Sequence, residues 1–156
     1  TIDLITQIEF DSIFLFKFSP RPETVAAKLP GQVNEKIKQK RFNTLLDLQK
    51  GITLKLNKRL EGKNVDILVE GKSKTNPDKL TGRTRTNKIV NFTVRSGTAA
   101  KLKLNTSAAG DEIFQKEIGS EVSNAEKDYL TGKIVPVKII RSGLYSLDGQ
   151  VINEHL

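Results

Sequence analysis

The stretch 69–92 constrains this chain more than any other. Apolar and polar residues alternate there between short breaks rich in Gly, Asn and Pro. A period of two sends one set of side chains to a packed face and the other to water. The pattern predicts a β-hairpin lined by Lys72, Lys74, Lys79, Arg83, Arg85 and Lys88, with Asp78 as the one carboxylate among them. In a regular strand Arg83 and Arg85, two apart, would share a face. A rigid sheet carrying that much positive charge suits a phosphate backbone.

Charge elsewhere sharpens this reading. The 156 residues carry a formal +8, but residues 17–103 hold 21 Lys/Arg against 7 Asp/Glu, while both ends are acidic. A block of that kind points to an anionic partner. The competing reading is a solvated surface that serves solubility alone.

Several chemistries are excluded. The chain has no Cys, so it can form no disulfide, thiolate nucleophile or Cys-ligated metal site. Its one His, His155, is next to last, which argues against a Ser-His-Asp triad or a His-rich metal site. No metal ligands are expected. No apolar run is long enough to span a bilayer, and no signal peptide is visible. We therefore expect a cytoplasmic protein with no membrane partner. The start on Thr1, inside an amphipathic pattern, suggests an excised fragment.

Three parts are expected: 1–31, 32–62 and 63–156. In the first, Leu4, Ile5 and Ile8 have helical spacing, and residues 12–19 read as a short buried strand. Pro20, Pro22, Pro30 and Gly31 close it in a loop. A lone helix and strand cannot bury both faces, so this part reads as the end of a larger α/β unit. The second part is a long helix over 33–60, with Val33, Ile37, Leu45, Leu48, Ile52, Leu56 and Leu60 on one stripe. Asn34 is its candidate N-cap and Gly62 its C′ residue. Lys36, Lys40, Arg41, Lys50 and Arg59 form a face read chiefly as solvated.

The third part reads as a small barrel of about five antiparallel strands, OB-like. Val65, Ile67 and Val69 alternate until Gly71 breaks the run. A turn at Thr86-Asn87 leads into a strand over 88–94, whose Ile89, Val90 and Phe92 supply core. Ile134, Val135, Val137, Ile139 and Ile140 form another strand, with Pro136 marking an edge or bulge. Leu144, Leu147, Val151 and Ile152 close the set after a turn at Ser142-Gly143. Residues 95–129 are polar and read as a mobile insertion, pinned by Ile113, Phe114 and Ile118.

Longer motifs resemble a known family. The run Phe16-Lys17-Phe18-Ser19-Pro20-Arg21-Pro22-Glu23-Thr24-Val25-Ala26-Ala27 is similar to the end of the radical-SAM domain in tRNA methylthiotransferases. The usual run there is Lys-Tyr-Ser-Pro-Arg-Pro-Gly-Thr-x-Ala-Ala, so Phe18 and Glu23 depart from it. Gln32-Val33, Leu48-Gln49, Asn57, Gly62-Lys63, Val69-Glu70-Gly71 and Gly82-Arg83-Thr84-x-x-Asn87 resemble the family's linker helix and C-terminal TRAM domain.

The resemblance implies an α+β chain: a remnant of a radical-SAM α/β barrel, a linker helix and an OB-like TRAM barrel. It implies a parent enzyme that methylthiolates isopentenyladenosine beside the tRNA anticodon, using two 4Fe–4S clusters and S-adenosylmethionine. This chain would hold neither cofactor, would bind the anticodon stem-loop, and would be inactive alone. Lys63, Lys72, Lys74, Arg83, Arg85, Asn87 and Lys88 are the candidate RNA-binding residues. Lys17, Ser19 and Arg21 would border the parent's active site; a plain Arg21–Glu23 loop salt bridge is the alternative there. Other readings are a family branch acting on threonylcarbamoyladenosine or a ribosomal protein, a stand-alone OB-like RNA binder, and a protein-contact domain. Ile13, Phe14, Phe16 and Phe18 read as built for a parallel sheet that is missing, so residues 1–30 are expected either to fold back on the 33–60 helix or to pair between two copies of the chain.

Overall fold

A computed structural model describes residues 1–94 and 124–152. The chain divides into two compact units, Thr1–Leu56 and Asn57–Leu156.

The first unit opens with helix α1 (Ile2–Ile8), which buries Ile5, as the spacing of its apolar residues predicts. Residues 12–19 form no strand, which corrects the expected buried strand. The period-two pattern survives: Ile13 and Leu15 are half-buried, whereas Phe14 is 90% and Phe16 86% exposed. Alternation makes a segment extended, but a strand also needs a backbone partner, and none lies beside it among the described residues. Instead the segment runs along helix α3 (Glu35–Lys58), which donates side-chain hydrogen bonds to its carbonyls. Gln49 reaches Phe10 at 2.7 Å, Thr53 reaches Asp11 at 2.9 Å and Lys38 reaches Phe18 at 3.2 Å. The segment thus folds back on the helix, one of the two outcomes expected for it.

A short helix α2 (Val25–Lys28) lies in the proline loop, unforeseen from sequence. Thr24 caps it, its hydroxyl accepting from Ala27 N–H at 3.3 Å. Glu23, just before the cap, has φ 67, a left-handed conformation that costs a non-glycine residue about 1 kcal/mol. That accounts for the Gly usual at this place in the family run. Asn34 caps α3 as expected, its side chain accepting from Lys36 N–H at 2.9 Å. Gly62, at φ 78, lies four residues beyond the helix end rather than at C′. Its N–H bonds Ile139 O at 2.8 Å.

The second unit is a closed five-stranded barrel in the order β1-β2-β3-β5-β4. Its strands are β1 (Asn64–Lys72), β2 (Leu80–Thr84), β3 (Ile89–Thr93), β4 (Ile134–Ser142) and β5 (Leu147–Val151). Four ladders are antiparallel, while the one joining β3 to β5 is parallel, a departure from the all-antiparallel expectation. The two nine-residue strands close the barrel by pairing twice. The first half of β1 pairs with β4 and its second half with β2; β4 likewise serves β1 and then β5. Each bends at a bulge, β1 between Val69 and Gly71, β4 between Ile139 and Arg141. Gly71 therefore bends its strand rather than breaking it, with φ 138. Pro136 sits just beyond the last β4–β5 pair, its carbonyl accepting from Ile152 N–H at 3.0 Å. Its missing N–H faces that same side, so the β1 ladder loses nothing.

Ile67, Val69, Leu80, Val90, Phe92, Val135, Val137, Ile139, Leu147 and Val151 fill the barrel. Burying each such side chain contributes about 1.5–3 kcal/mol. Ile89, Ile134 and Ile140, expected in the core, point outward instead, because period two allows only alternate residues in. The expected insertion is partly helix: α4 (Asn124–Leu130) sends Leu130 fully into the core. The rest of that insertion, with Ile113, Phe114 and Ile118, lies outside the described residues, as does His155. Among the described residues no helix is long and apolar enough to cross a membrane.

Candidate nucleic-acid interface

The basic stretch forms the end of β1, the loop 73–79, strand β2 and a tight turn into β3. That turn is set by Thr84. Its N–H bonds Lys88 O at 3.0 Å, its carbonyl accepts from Asn87 N–H at 2.9 Å, and its hydroxyl accepts from Lys88 N–H at 3.0 Å. Asn87 takes φ 64, a conformation Asn tolerates well. Because β2 ends at Thr84, Arg85 belongs to the turn and does not share a strand face with Arg83.

The predicted cations fall into two groups. Four are held by the barrel itself. Arg83 donates through Nε to Glu70 Oε1 at 2.8 Å and through Nη1 to Asn87 Oδ1 at 2.9 Å. Lys88 Nζ donates to Asn57 Oδ1 at 2.9 Å, Lys72 stands 3.9 Å from Asp128, and Lys79 donates to Asp148 at 2.7 Å. By contrast Lys63, Lys74 and Arg85 are exposed and make no ion pair among the described residues. Arg83, Lys72 and Lys79 face carboxylates and so attract a phosphate less than the second group does, whereas the Asn57 amide that Lys88 meets is neutral and orients its ammonium.

Residues outside the candidate RNA-binding set support and flank this stretch. Asp148 on β5 joins two cations, accepting from Lys79 and, at 2.7 Å, from Arg141. The Lys79 ammonium first, and then Arg141, hold its carboxyl below the usual range against the opposing effect of burial. Asn57, the first residue of the second unit, is buried, and its amide donates to Gly143 O at 2.9 Å and Leu144 O at 3.3 Å. Tyr145 is 81% exposed in the β4–β5 turn. A large aromatic within the turn 143–146 was the signal available for it, since a turn rarely needs one.

In the first unit Lys17 Nζ donates to Glu35 at 2.6 Å and to Gln39 at 2.9 Å. Lys17 also lowers the Glu35 carboxyl below its ordinary range. With Phe16, Phe18, Lys38 and Arg41 it lines a groove of about 480 Å³. Ser19 and Arg21 are exposed and lie outside that lining. The expected alternative, an Arg21–Glu23 salt bridge, does not form among the described residues. The Arg21 carbonyl instead accepts from the Thr24 hydroxyl at 2.8 Å. No cluster of His, Cys, Asp and Glu able to hold a metal occurs among the described residues.

Known proteins match both units. A family model for the TRAM domain matches residues 58–101. The chain is 37% identical over 153 residues to the tRNA-2-methylthio-N(6)-dimethylallyladenosine synthase of Moorella thermoacetica, covering 98% of the chain and 27% of that protein. It is 39% identical over 152 residues to the synthase of the same name from Carboxydothermus hydrogenoformans, again 27% of the relative's length. Over 92 residues identity to the Syntrophus aciditrophicus synthase reaches 53%, across 59% of this chain and 20% of that protein. The chain thus spans about a quarter of the length of these curated relatives. It carries a TRAM domain, and over nearly all its length it matches the C-terminal part of tRNA methylthiotransferases.

Proposed function

We propose that this chain is the tRNA-binding portion of an enzyme that makes 2-methylthio-N6-dimethylallyladenosine in tRNA. The observation that carries the reading is the barrel's free positive charge: Lys63 and Arg85 toward one end and Lys74 at the other are exposed and make no ion pair among the described residues on an OB-type scaffold. Such a surface tracks a phosphate backbone, and a stem-loop would be recognised by shape and backbone contacts. The relatives' activity as named, synthesis of 2-methylthio-N(6)-dimethylallyladenosine in tRNA, supplies the RNA class and the modified base.

The family's 4Fe–4S clusters need thiolate ligands, and this chain has no Cys. Its residues therefore do not fit a cluster, and no redox step is assigned to them. The proposed role is binding, with the chain inactive by itself and the longer protein acting on the anticodon stem-loop in the cytoplasm. Lys17 lines the first unit's groove and would border the active site of that longer protein; Ser19 and Arg21, outside the groove, are the weaker candidates.

Binding of the 156-residue chain to an anticodon stem-loop across a salt series tests the proposal. Arg85→Ala should weaken binding and flatten the salt slope by about one unit per lost phosphate contact. Arg83→Ala should do less to the slope, because Glu70 already compensates its charge. Equal affinity and slope in wild type and both variants would end the assignment.

A further inference from the structure

We propose that Tyr145 is a stacking platform for an unpaired RNA base, held out at one end of the barrel by a clasp built on Asn57. This rests on the RNA-binding reading above and names the part of the RNA engaged. Tyr145 is 81% exposed, while its neighbours Leu144 and Ser146 are half-buried and Leu147 is fully buried. The chain's other tyrosine, Tyr129, shows the ordinary use: it packs against the core with Lys133 4.0 Å from its ring centre. Left in water, the Tyr145 ring contributes nothing to the fold.

The turn that carries this ring is firmly held. Gly143 N–H donates to Ser146 O at 2.8 Å. The Asn57 amide holds the carbonyls of Gly143 and Leu144. Ser142 donates through its backbone at 2.8 Å and its hydroxyl at 2.7 Å to Glu61. An aromatic on a fixed backbone stacks with little ordering cost.

The same clasp reaches the basic turn. Asn57 Oδ1 accepts from Lys88 Nζ, so one side chain joins the β2–β3 turn to the β4–β5 turn. Its amide can satisfy carbonyls on one side and an ammonium on the other in one orientation only. Parallel pairing of Val90 with Leu147 places the starts of β3 and β5 side by side. A stacking ring and the uncompensated Arg85 are thereby mounted at the same barrel end. Unpaired bases offer an open π-face to such a ring whatever their identity, whereas bases stacked inside a duplex do not.

The full 156-residue chain is titrated with an RNA hairpin bearing a single-stranded loop, and with the same stem as a blunt duplex. Tyr145→Ala should weaken hairpin binding roughly tenfold, leave duplex binding and the salt slope unchanged, and be rescued by Tyr145→Phe. Arg85→Ala should flatten the slope for both RNAs. If wild type binds the hairpin and Tyr145→Ala binds it equally well, or loses duplex binding to the same extent, the platform is wrong while RNA binding stands. If wild type binds neither RNA, both proposals fail together.

Discussion

Gly82 shows how little room a single position leaves in this barrel. A Cβ built there would lie 2.3 Å from Leu68 O and 2.6 Å from Ile67 Cγ2. The first contact is with backbone, so the β1–β2 ladder would have to part. Gly82→Ala should therefore cost about 1–3 kcal/mol, read as a lower denaturation midpoint of the second unit. A midpoint within error of wild type would show that the ladder yields more easily than its packing implies. The sequence marked Gly82-Arg83-Thr84 as a motif, but not the reason for its glycine, which lies in how closely the neighbouring strand β1 approaches it. Asn57 too was marked as a motif residue, but not what it holds together. Its three side-chain partners, Lys88, Gly143 and Leu144, are 31 to 87 residues away. Glu23 and Asn87 were more readable, since left-handed positions leave local signatures in turn chemistry.

At the scale of elements, the strands were legible because alternation is a local property, and the cap of α3 because Asn34 acts within its own turn. Helix α4 was not: its seven residues follow a long polar run, and its purpose is to send Leu130 into a barrel built by other segments. The parallel β3–β5 ladder was equally out of reach, since pairing between Val90 and Leu147, nearly sixty residues apart, leaves no mark in either strand. The antiparallel β4–β5 ladder sets Asp148 opposite Arg141, and Lys79 donates to it from before β2. A carboxyl whose folded pKa is depressed stabilises the fold above its unfolded value, about 3.9. The contribution fades as pH falls through the folded value and is absent below it. Wild type should thus exceed Asp148→Asn in stability near pH 6, and the gap should narrow progressively as pH falls below about 3.9, by denaturant titration across that range. A gap that persists in acid would assign the difference to packing rather than charge. Asp148→Asn should also strengthen RNA binding and steepen its salt slope, because it releases two cations on the barrel's outer surface.

For the molecule as a whole, the two units differ in how completely each satisfies itself. The barrel closes every ladder and fills its own interior. The first unit holds the segment 10–18 by side-chain bonds from α3 to its carbonyls, yet leaves Phe14 and Phe16 almost fully in water. A segment with alternate apolar side chains and no strand partner is a site for pairing. Each buried aromatic ring removes roughly 150–250 Å² from water. Two rings from each of two copies therefore cover about 600–1,000 Å², below the size of a stable interface. The expected outcome is weak association that grows with protein concentration, detected by light scattering or sedimentation. Phe14→Ser with Phe16→Ser should abolish it without moving the unfolding transition of the barrel, none of whose core residues they touch. A wild-type chain that stays monomeric at high concentration would sink the pairing idea. It would mean that the bonds from α3 hold the segment in a form no second copy can extend.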